Sequence, residues 1–422
     1  MITGIIGLGY VGLPLAVELA KHYQIIGFDI NPDKINELNQ GIDKTNEVDV
    51  IKLKHPNLIF TSDETKLKEA DYIIVAVPTP IDKAKKPDFS YIKSSSEIIG
   101  RNLKDNAIVI YESTVSPGTT EEICQPIIEK ISNKKCGSKW KIAYSPERIV
   151  PGDKLHTLTN TTKIVSGMDQ ETLDKVADLY SKICPIYKAT SIKVAEAAKI
   201  TENVQRDLNI AIINELSLIF HELNIDTFEV LEAAGTKFNF HHYHPGLVGG
   251  HCISVDPYYL TEIAQQKGYY PKVILSGREV NERIATHIAH QVLKNLNNNN
   301  KVLKESNVLV MGLTFKENVS DMRNSKVKEM IDELKSFQVN VIGLDPLLTK
   351  EEIEKNLGIS KVNFEDINEN LDAVIVAQGH NEFKSIKLQY LAKKLNNLYL
   401  FDIKRFYDKK EAIEKGFTYE SL

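Results

Sequence analysis

The sequence predicts an α/β chain in which two doubly wound sheets are joined by a central helical domain with a long bridging helix. Three observations predict it. Apolar strands alternate with amphipathic helices through the first part of the chain, and the same alternation returns after Ser306. Between them, residues 194–223 contain no Gly or Pro and repeat apolar residues at helical spacing. At 422 residues the chain exceeds one ordinary domain. The expected divisions are 1–190, 191–300 and 301–422.

In the first part, strands are expected at 3–6, 24–28, 72–77, 107–111, 141–144 and 163–166, with helices such as 13–22 and 32–39 between them. The long helix that follows exceeds a domain diameter, which suits an element bridging two domains. A Gly-, His- and Pro-rich loop occupies 235–257, and a second long helix spans 272–296, ending in a linker at 297–300. Strands at 307–310, 340–344, 373–376 and 398–401 then build the second sheet. An active site in a cleft between two such sheets is the default expectation.

Composition narrows the class. Hydrophobic residues make up 42% and charged residues 26%, ordinary for a globular chain. A net charge of −5 argues against nucleic acid, whose phosphates need a basic surface. A small anionic ligand needs only a few local Lys and Arg. Cys124, Cys136, Cys184 and Cys252 lie far apart with no C-x-x-C pair, so no disulfide framework is expected and the cytoplasm is the natural home. The opening apolar stretch reads as a strand and not as a signal peptide. No apolar run approaches the ~20 residues of a membrane span.

Gly7-Leu8-Gly9-Tyr10-Val11-Gly12 follows an apolar strand and opens a helix. The first Gly permits a tight turn, the second lets the backbone approach a pyrophosphate, and the third allows helix to pack on strand. The free N–H groups of the helix start then hold the pyrophosphate. Asp29 closes the next strand, 17 residues beyond Gly12, where a carboxylate binds adenosine ribose hydroxyls and repels a 2′-phosphate. NAD is therefore the expected cofactor, with FAD a lesser alternative. Lys34, just beyond Asp29, joins Tyr10 and Val11 as a cofactor contact. Thr79 and Thr114 follow strand ends on the same edge and are placed to touch the dinucleotide. Capping of the next helix is the competing use of those hydroxyls.

Gly249-Gly250-His251-Cys252 is the most suggestive segment, with Asp256 four residues on. Two glycines leave a bare backbone through which a substrate reaches the thiol. A thiolate beside a dinucleotide site suits oxidation of an aldehyde to an acid: the thiolate adds, the thiohemiacetal gives up hydride, and a thioester awaits hydrolysis. Two other readings stand beside this one. Cysteine is often simply buried, and His241, His242, His244 and His251 with Cys252 suggest zinc. Adjacent histidines, the lack of a second nearby cysteine, and a chemistry that needs no metal favour no metal. Glu147, at a strand end, is a candidate base for the hydrolytic water. Glu196, Lys199 and Asn203 share one helix face and offer an ammonium and an amide for oxyanions. A solvated charged stripe would show the same spacing.

Together these motifs resemble the UDP-glucose and UDP-N-acetylhexosamine 6-dehydrogenase family over essentially the whole chain. The matching segments are the Gly-rich turn, 77–80, 113–119, 145–148, 199–203, 249–256 and 312–325. The resemblance implies two Rossmann-like domains and a four-electron oxidation using two NAD per turnover. It makes Cys252 the nucleophile, with Lys199, Asn203 and Asp256 stabilising oxyanions and catalytic water. Glu147 assists thioester hydrolysis, with Thr114 beside it. It also implies that Lys316, beside Phe315, contacts the UDP-sugar and that Arg323 contacts the cofactor. The loop 243–249, from Tyr243 to Gly249, lines the diphosphate and sugar, with Arg148 near the sugar and Arg405 a looser candidate. Ser145-Pro146-Glu147-Arg148 and Gly250-His251-Cys252 resemble the N-acetylhexosamine branch of polysaccharide biosynthesis, favouring UDP-GlcNAc or UDP-GalNAc over UDP-ManNAc or UDP-glucose. The family's long helix forms a dimer core, a role that Ile210, Ile213, Leu216 and Phe220 fit. Packing within the chain explains those residues equally well.

Two rivals remain. A two-electron 3-hydroxyacid or 6-phosphogluconate-type dehydrogenase would share the first two domains but needs neither Cys252 nor a second sheet. A redox-sensing NAD-binding regulator would bind dinucleotide without turnover.

Overall fold

The computed structural model describes residues 1–45, 47–149, 157–367 and 370–422. The chain divides into two compact units, 1–203 with 258–270, and 204–257 with 271–422.

The first unit opens with β1 (Ile2–Ile6), α1 (Gly12–Ala20), β2 (Gln24–Phe28), α2 (Pro32–Asn39) and the single turn α3 (Val50–Leu53). Next come β3 (Leu58–Thr61), β4 (Tyr72–Val75), α4 (Ser90–Asn102), β5 (Ile108–Tyr111) and α5 (Gln125–Ser132). The sheet is completed by β6 (Lys141–Tyr144), β7 (Lys163–Gly167), α6 (Gln170–Ser181) and β8 (Ile186–Lys188). Its order is β3-β2-β1-β4-β5-β6-β7-β8. Strand order reverses between β1 and β4, the place where such sheets bind ligands beyond their carboxyl ends. Successive strand residues face opposite sides: Ile5, Ile74 and Ile110 pack into one core layer, and Ile6, Val75 and Val109 into the other.

One pairing departs from the expected parallel sheet. β7 runs antiparallel to β6, with Tyr144 opposite Ser166. The start of β7 therefore lies at the edge where the parallel strands end.

The long helix α7 is Ile192–Glu222, and the division between units falls within it, after Asn203. It is followed by α8 (Thr227–Gly235), α9 (Asp256–Gln266) and α10 (Lys272–Asn298). The expected linker at 297–300 is half helix, because Leu296 is fully buried and carries α10 on through Asn298. The second sheet contains β9 (Asn307–Met311), α11 (Lys326–Ser336), β10 (Asn340–Leu344), α12 (Lys350–Leu357) and β11 (Ser360–Lys361). It ends with β12 (Ala373–Val376), α13 (Leu388–Ala392), β13 (Tyr399–Asp402), α14 (Lys409–Glu414) and β14 (Thr418–Glu420). The order β11-β10-β9-β12-β13-β14 is parallel throughout, reversing between β9 and β12. Ile284, Ile288 and Val292 of α10 share a core layer with Val308 and Val310 of β9. On the second-unit part of α7, Ile213 is buried, Ile210, Leu216 and Phe220 are half-buried, and Ile212 and Ile219 are exposed. Among the described residues no helix is long and apolar enough to cross a membrane.

Candidate active site

In the first unit the Gly-rich turn has the shape its spacing predicts. Gly7 sits at φ +93°, and a Cβ on Gly12 would lie 1.9 Å from the Gly7 carbonyl oxygen, so neither position admits a side chain without backbone movement. Gly9 differs, because a Cβ there would meet nothing within 4 Å. That open face stands at the start of α1, which has no acidic residue in its first turn and no side-chain cap. These features fit a pyrophosphate.

Asp29 is buried and accepts from the Leu8 amide at 3.0 Å and the Asn31 amide at 3.0 Å, and pairs with Lys34 Nζ at 2.8 Å. It thus braces the turn, with Lys34 held beside it. Leu8, Asn31, Lys34, Leu38, Ile42 and Thr45 border an open cleft of about 560 Å³. Tyr10 and Val11 are half-buried at the turn. Thr79 and Thr114, also half-buried, follow β4 and β5. Neither caps a helix: α4 begins after Phe89, and the π-helical turn leading into α5 begins after Thr119.

The face carrying Glu196, Lys199 and Asn203 is not a solvated stripe, since those residues are 0%, 8% and 6% exposed. Glu196 accepts from the Gly118 amide at 2.5 Å and the Thr120 amide at 2.9 Å, tying α7 to the segment after β5. Burial pushes its carboxyl up to about 7. Glu147 is buried just past β6, with Oε1 accepting from the Arg148 amide at 2.6 Å and the Ile149 amide at 2.7 Å. Arg148 donates to the Thr162 carbonyl at 2.6 Å and pairs with Glu202 at 2.8 Å.

In the second unit, the loop before Cys252 is clasped by the segment after β9. Gly250 sits at φ +92°, where a Cβ would be 2.8 Å from the Phe315 ring, and its amide donates to the Asn324 carbonyl at 3.1 Å. A Cβ on Gly249 would lie 2.5 Å from that same oxygen. The Cys252 carbonyl accepts from the Val255 amide at 3.1 Å and the Asp256 amide at 2.8 Å, which starts α9 and buries Asp256. Cys252 is exposed, while Cys124, Cys136 and Cys184 are buried. Burial pushes those three thiols up, to about 12, 11 and 11. They are therefore poor thiolates near neutral pH.

His251 faces Asp321 at 3.3 Å, and Arg323 grips the same carboxylate in a two-pronged pair at 2.7 and 3.0 Å. Burial alone would raise Asp321, but the bonds from His251 and Arg323 hold it well below the usual carboxylate range. Phe315 and Lys316 are half-buried on the turn after β9, and Tyr243 is half-buried on its loop. Arg405, at φ +56°, pairs with Asp226 and lies 4.4 Å from the Phe228 ring. Among the described residues no three His, Cys, Asp or Glu side chains form a metal-holding group.

Several supports escaped the sequence reading. Asn214 of α7 accepts from the Gly246 amide at 2.8 Å and donates to its carbonyl at 3.1 Å, fixing the loop that leads to Cys252. Fully buried His380 accepts from the Asn318 amide at 2.9 Å and meets Asp345 at 3.0 Å, bracing the turn that carries Lys316. Lys163, at the head of β7, joins Glu147 and Glu112 in a buried charge cluster. The available signal was a charged residue bordering an apolar strand, which sequence alone cannot tell from a solvated strand end.

Two α/β sheets whose strand order reverses at the centre, a glycine turn open to a pyrophosphate and an exposed thiol on a glycine loop together define a dinucleotide-linked dehydrogenase architecture. The chain belongs to the UDP-glucose/GDP-mannose dehydrogenase family: residues 1–184 match its NAD binding domain, 193–283 its central domain and 309–409 its UDP binding domain. It is 49% identical over 402 residues to Protein CapL of Staphylococcus aureus, covering 95% of each chain. It is 46% identical over 415 residues to a UDP-N-acetyl-D-glucosamine 6-dehydrogenase of Pseudomonas aeruginosa, covering 97% of this chain and 98% of the relative. The solved UDP-D-ManNAc dehydrogenase of Pyrococcus horikoshii superposes with a TM-score of 0.90 at 27% identity, covering 100% of this chain and 99% of that one.

Proposed function

We propose that the chain is an NAD-dependent UDP-N-acetylhexosamine 6-dehydrogenase, converting the C6 alcohol to a carboxylate through a thioester on Cys252. The observation that carries this reading is the exposure of that thiol on a glycine loop, in a chain whose other three cysteines are buried. UDP-GlcNAc is the favoured substrate, because the relative that acts on it is 46% identical while the UDP-D-ManNAc structure is 27% identical.

NAD, when bound, supplies a hydride acceptor. Gly7, Gly9, Gly12 and the start of α1 would hold its pyrophosphate, Asp29 with Lys34 its adenosine ribose, and Thr79, Thr114 and Arg323 its remaining length. Lys199 and Asn203 stabilise the alkoxide of the first oxidation and the oxyanions that follow. The Cys252 thiolate adds to the C6 aldehyde, and loss of hydride from the thiohemiacetal leaves a thioester. Glu147 takes a proton from water as that oxygen attacks the thioester carbon. The C–S bond breaks, the acid forms and the thiolate is restored. Asp256 orients the water. Tyr243, Gly249, Phe315, Lys316, Arg148 and Arg405 bind the UDP-sugar. On this reading 1–190 binds NAD, 191–300 is a central helical domain that pairs two chains, and 301–422 binds UDP. The enzyme works in the cytoplasm, where four cysteines that form no disulfide stay reduced.

The test is a panel of UDP-Glc, UDP-GlcNAc, UDP-GalNAc and UDP-ManNAc assayed for NADH. The highest kcat/KM should fall on UDP-GlcNAc or UDP-GalNAc. Preference for UDP-ManNAc would overturn the substrate assignment, and NADH from none would overturn the activity.

A further inference from the structure

Behind Glu147 lies a charge cluster that the proposed mechanism does not use. The antiparallel pairing sets Tyr144 opposite Ser166, and carrying that register past the end of β6 brings residue 147 alongside residue 163. Ser145 Oγ donates to the Ile164 carbonyl at 2.8 Å along the same seam. Lys163 Nζ lies 3.0 Å from Glu112 Oε2, 3.4 Å from Glu147 Oε2 and 3.4 Å from the Pro146 carbonyl, and 5.0 Å over the Tyr180 ring. Glu112, one residue past β5, also accepts from the Tyr180 hydroxyl of α6. All four residues are buried, and Cys184 is close enough to feel the same charges.

An ammonium in such a place is costly unless its partners are fixed. Glu112 and Tyr180 supply that fixing, leaving one face of the ammonium for Glu147. Glu147 Oε1 is already committed to two backbone amides. Both of its oxygens are therefore held, without direct contact between Glu112 and substrate. Arg148, the other nearby cation, is turned to Glu202 of α7.

We infer that Lys163 is the positioning residue of the hydrolytic base, held in place by Glu112 and Tyr180, and that it fixes where the Glu147 carboxylate stands to take a proton from water. The inference rests on Glu147 acting in thioester hydrolysis, as proposed above.

Lys163→Met, Glu112→Gln and the double variant Lys163→Met/Glu112→Gln test it. The double variant removes the cation together with the carboxylate closest to it, leaving Glu147 as the remaining charge of the trio, so it keeps the test open where Lys163→Met does not fold. Two readouts are needed: the acid-side limb of the pH profile of acid formation, and the UDP-uronyl adduct on Cys252 seen by intact mass after rapid quench. Removing the cation should move the limb to higher pH, and removing the neighbouring carboxylate should move it to lower pH. In Lys163→Met and the double variant, hydrolysis should slow by roughly 10-fold or more and adduct should accumulate, while the first release of NADH stays within about 2-fold of wild type. Limbs that stay put or move together, or a first NADH release that falls in step with hydrolysis, would overturn the positioning role. Failure of the wild type to form any adduct or acid would instead overturn the thioester reading itself.

Discussion

Cys252 and the glycines around the two ligand sites show how single residues divide the work. An exposed sulfur can reach an aldehyde, and three thiols raised by burial cannot take its place. Cys252→Ser should lower acid formation by roughly 10³-fold or more while leaving NAD affinity, measured by fluorescence titration, unchanged. Full carboxylate production by that variant would refute the covalent step. Gly9 offers a complementary test. Its Cβ position is empty, so Gly9→Ala should melt with the wild type yet bind NAD roughly 10-fold more weakly, about 1.4 kcal/mol. An equal loss of stability would mean that Gly9 serves the turn and not the ligand. Glu196 carries a pH signature of its own. Its folded carboxyl titrates near 7 against an ordinary 4.5, so the folded state holds its proton more tightly than the unfolded chain does. The wild type therefore loses stability as pH rises from about 4.5 to about 7, and no more above that. The melting temperature of Glu196→Gln relative to wild type should rise with pH across that window and then level off; a difference that is flat from pH 4.5 to 7 would contradict this.

Elements turn these residues toward one another within each unit. The Gly250 loop exists because φ +92° and the Phe315 ring leave no room for a Cβ. Gly250→Ala should cost about 1–3 kcal/mol of stability and lower kcat, with NAD affinity unchanged. A wild-type kcat would show that the clasp by Phe315 and Asn324 does not set the thiol's place. Much at this scale was legible in the sequence. The glycine turn, α2, β2, β6, β10 and β12 fall where periodicity put them, because each is a buried apolar run or an amphipathic stretch bounded by turn residues. What escaped notice has physical reasons. β8, β11 and β14 are two or three residues long, too short to show alternation, and β3 is an edge strand that leaves Ile59 exposed. The antiparallel turn of β7 leaves no trace in composition, because its apolar run reads the same in either direction. The partnership of Lys163 with Glu147 depends on that reversal, and so it was hidden as well. Asn214 and His380 look like any polar residue of a helix or loop until the backbone amides they serve are in view.

At the scale of the whole molecule, two sheets of the same winding match two different domains of the family, the first its NAD binding domain and the second its UDP binding domain. In each, a buried carboxylate at the end of the second strand braces the turn after the first. Asp29 accepts from the Leu8 amide at 3.0 Å, and Asp345 from the Leu313 amide at 2.7 Å. The repeated brace is geometric, and only the first turn keeps the open glycine that a pyrophosphate needs. The second sheet instead matches the family's UDP binding domain, and a rival two-electron dehydrogenase would have no use for it or for an exposed Cys252. The most direct measurement is therefore the number of NADH formed per UDP-GlcNAc consumed, read together with the product's oxidation state. Two NADH and a carboxylate are expected; one NADH with an aldehyde or ketone as the final product would contradict the account.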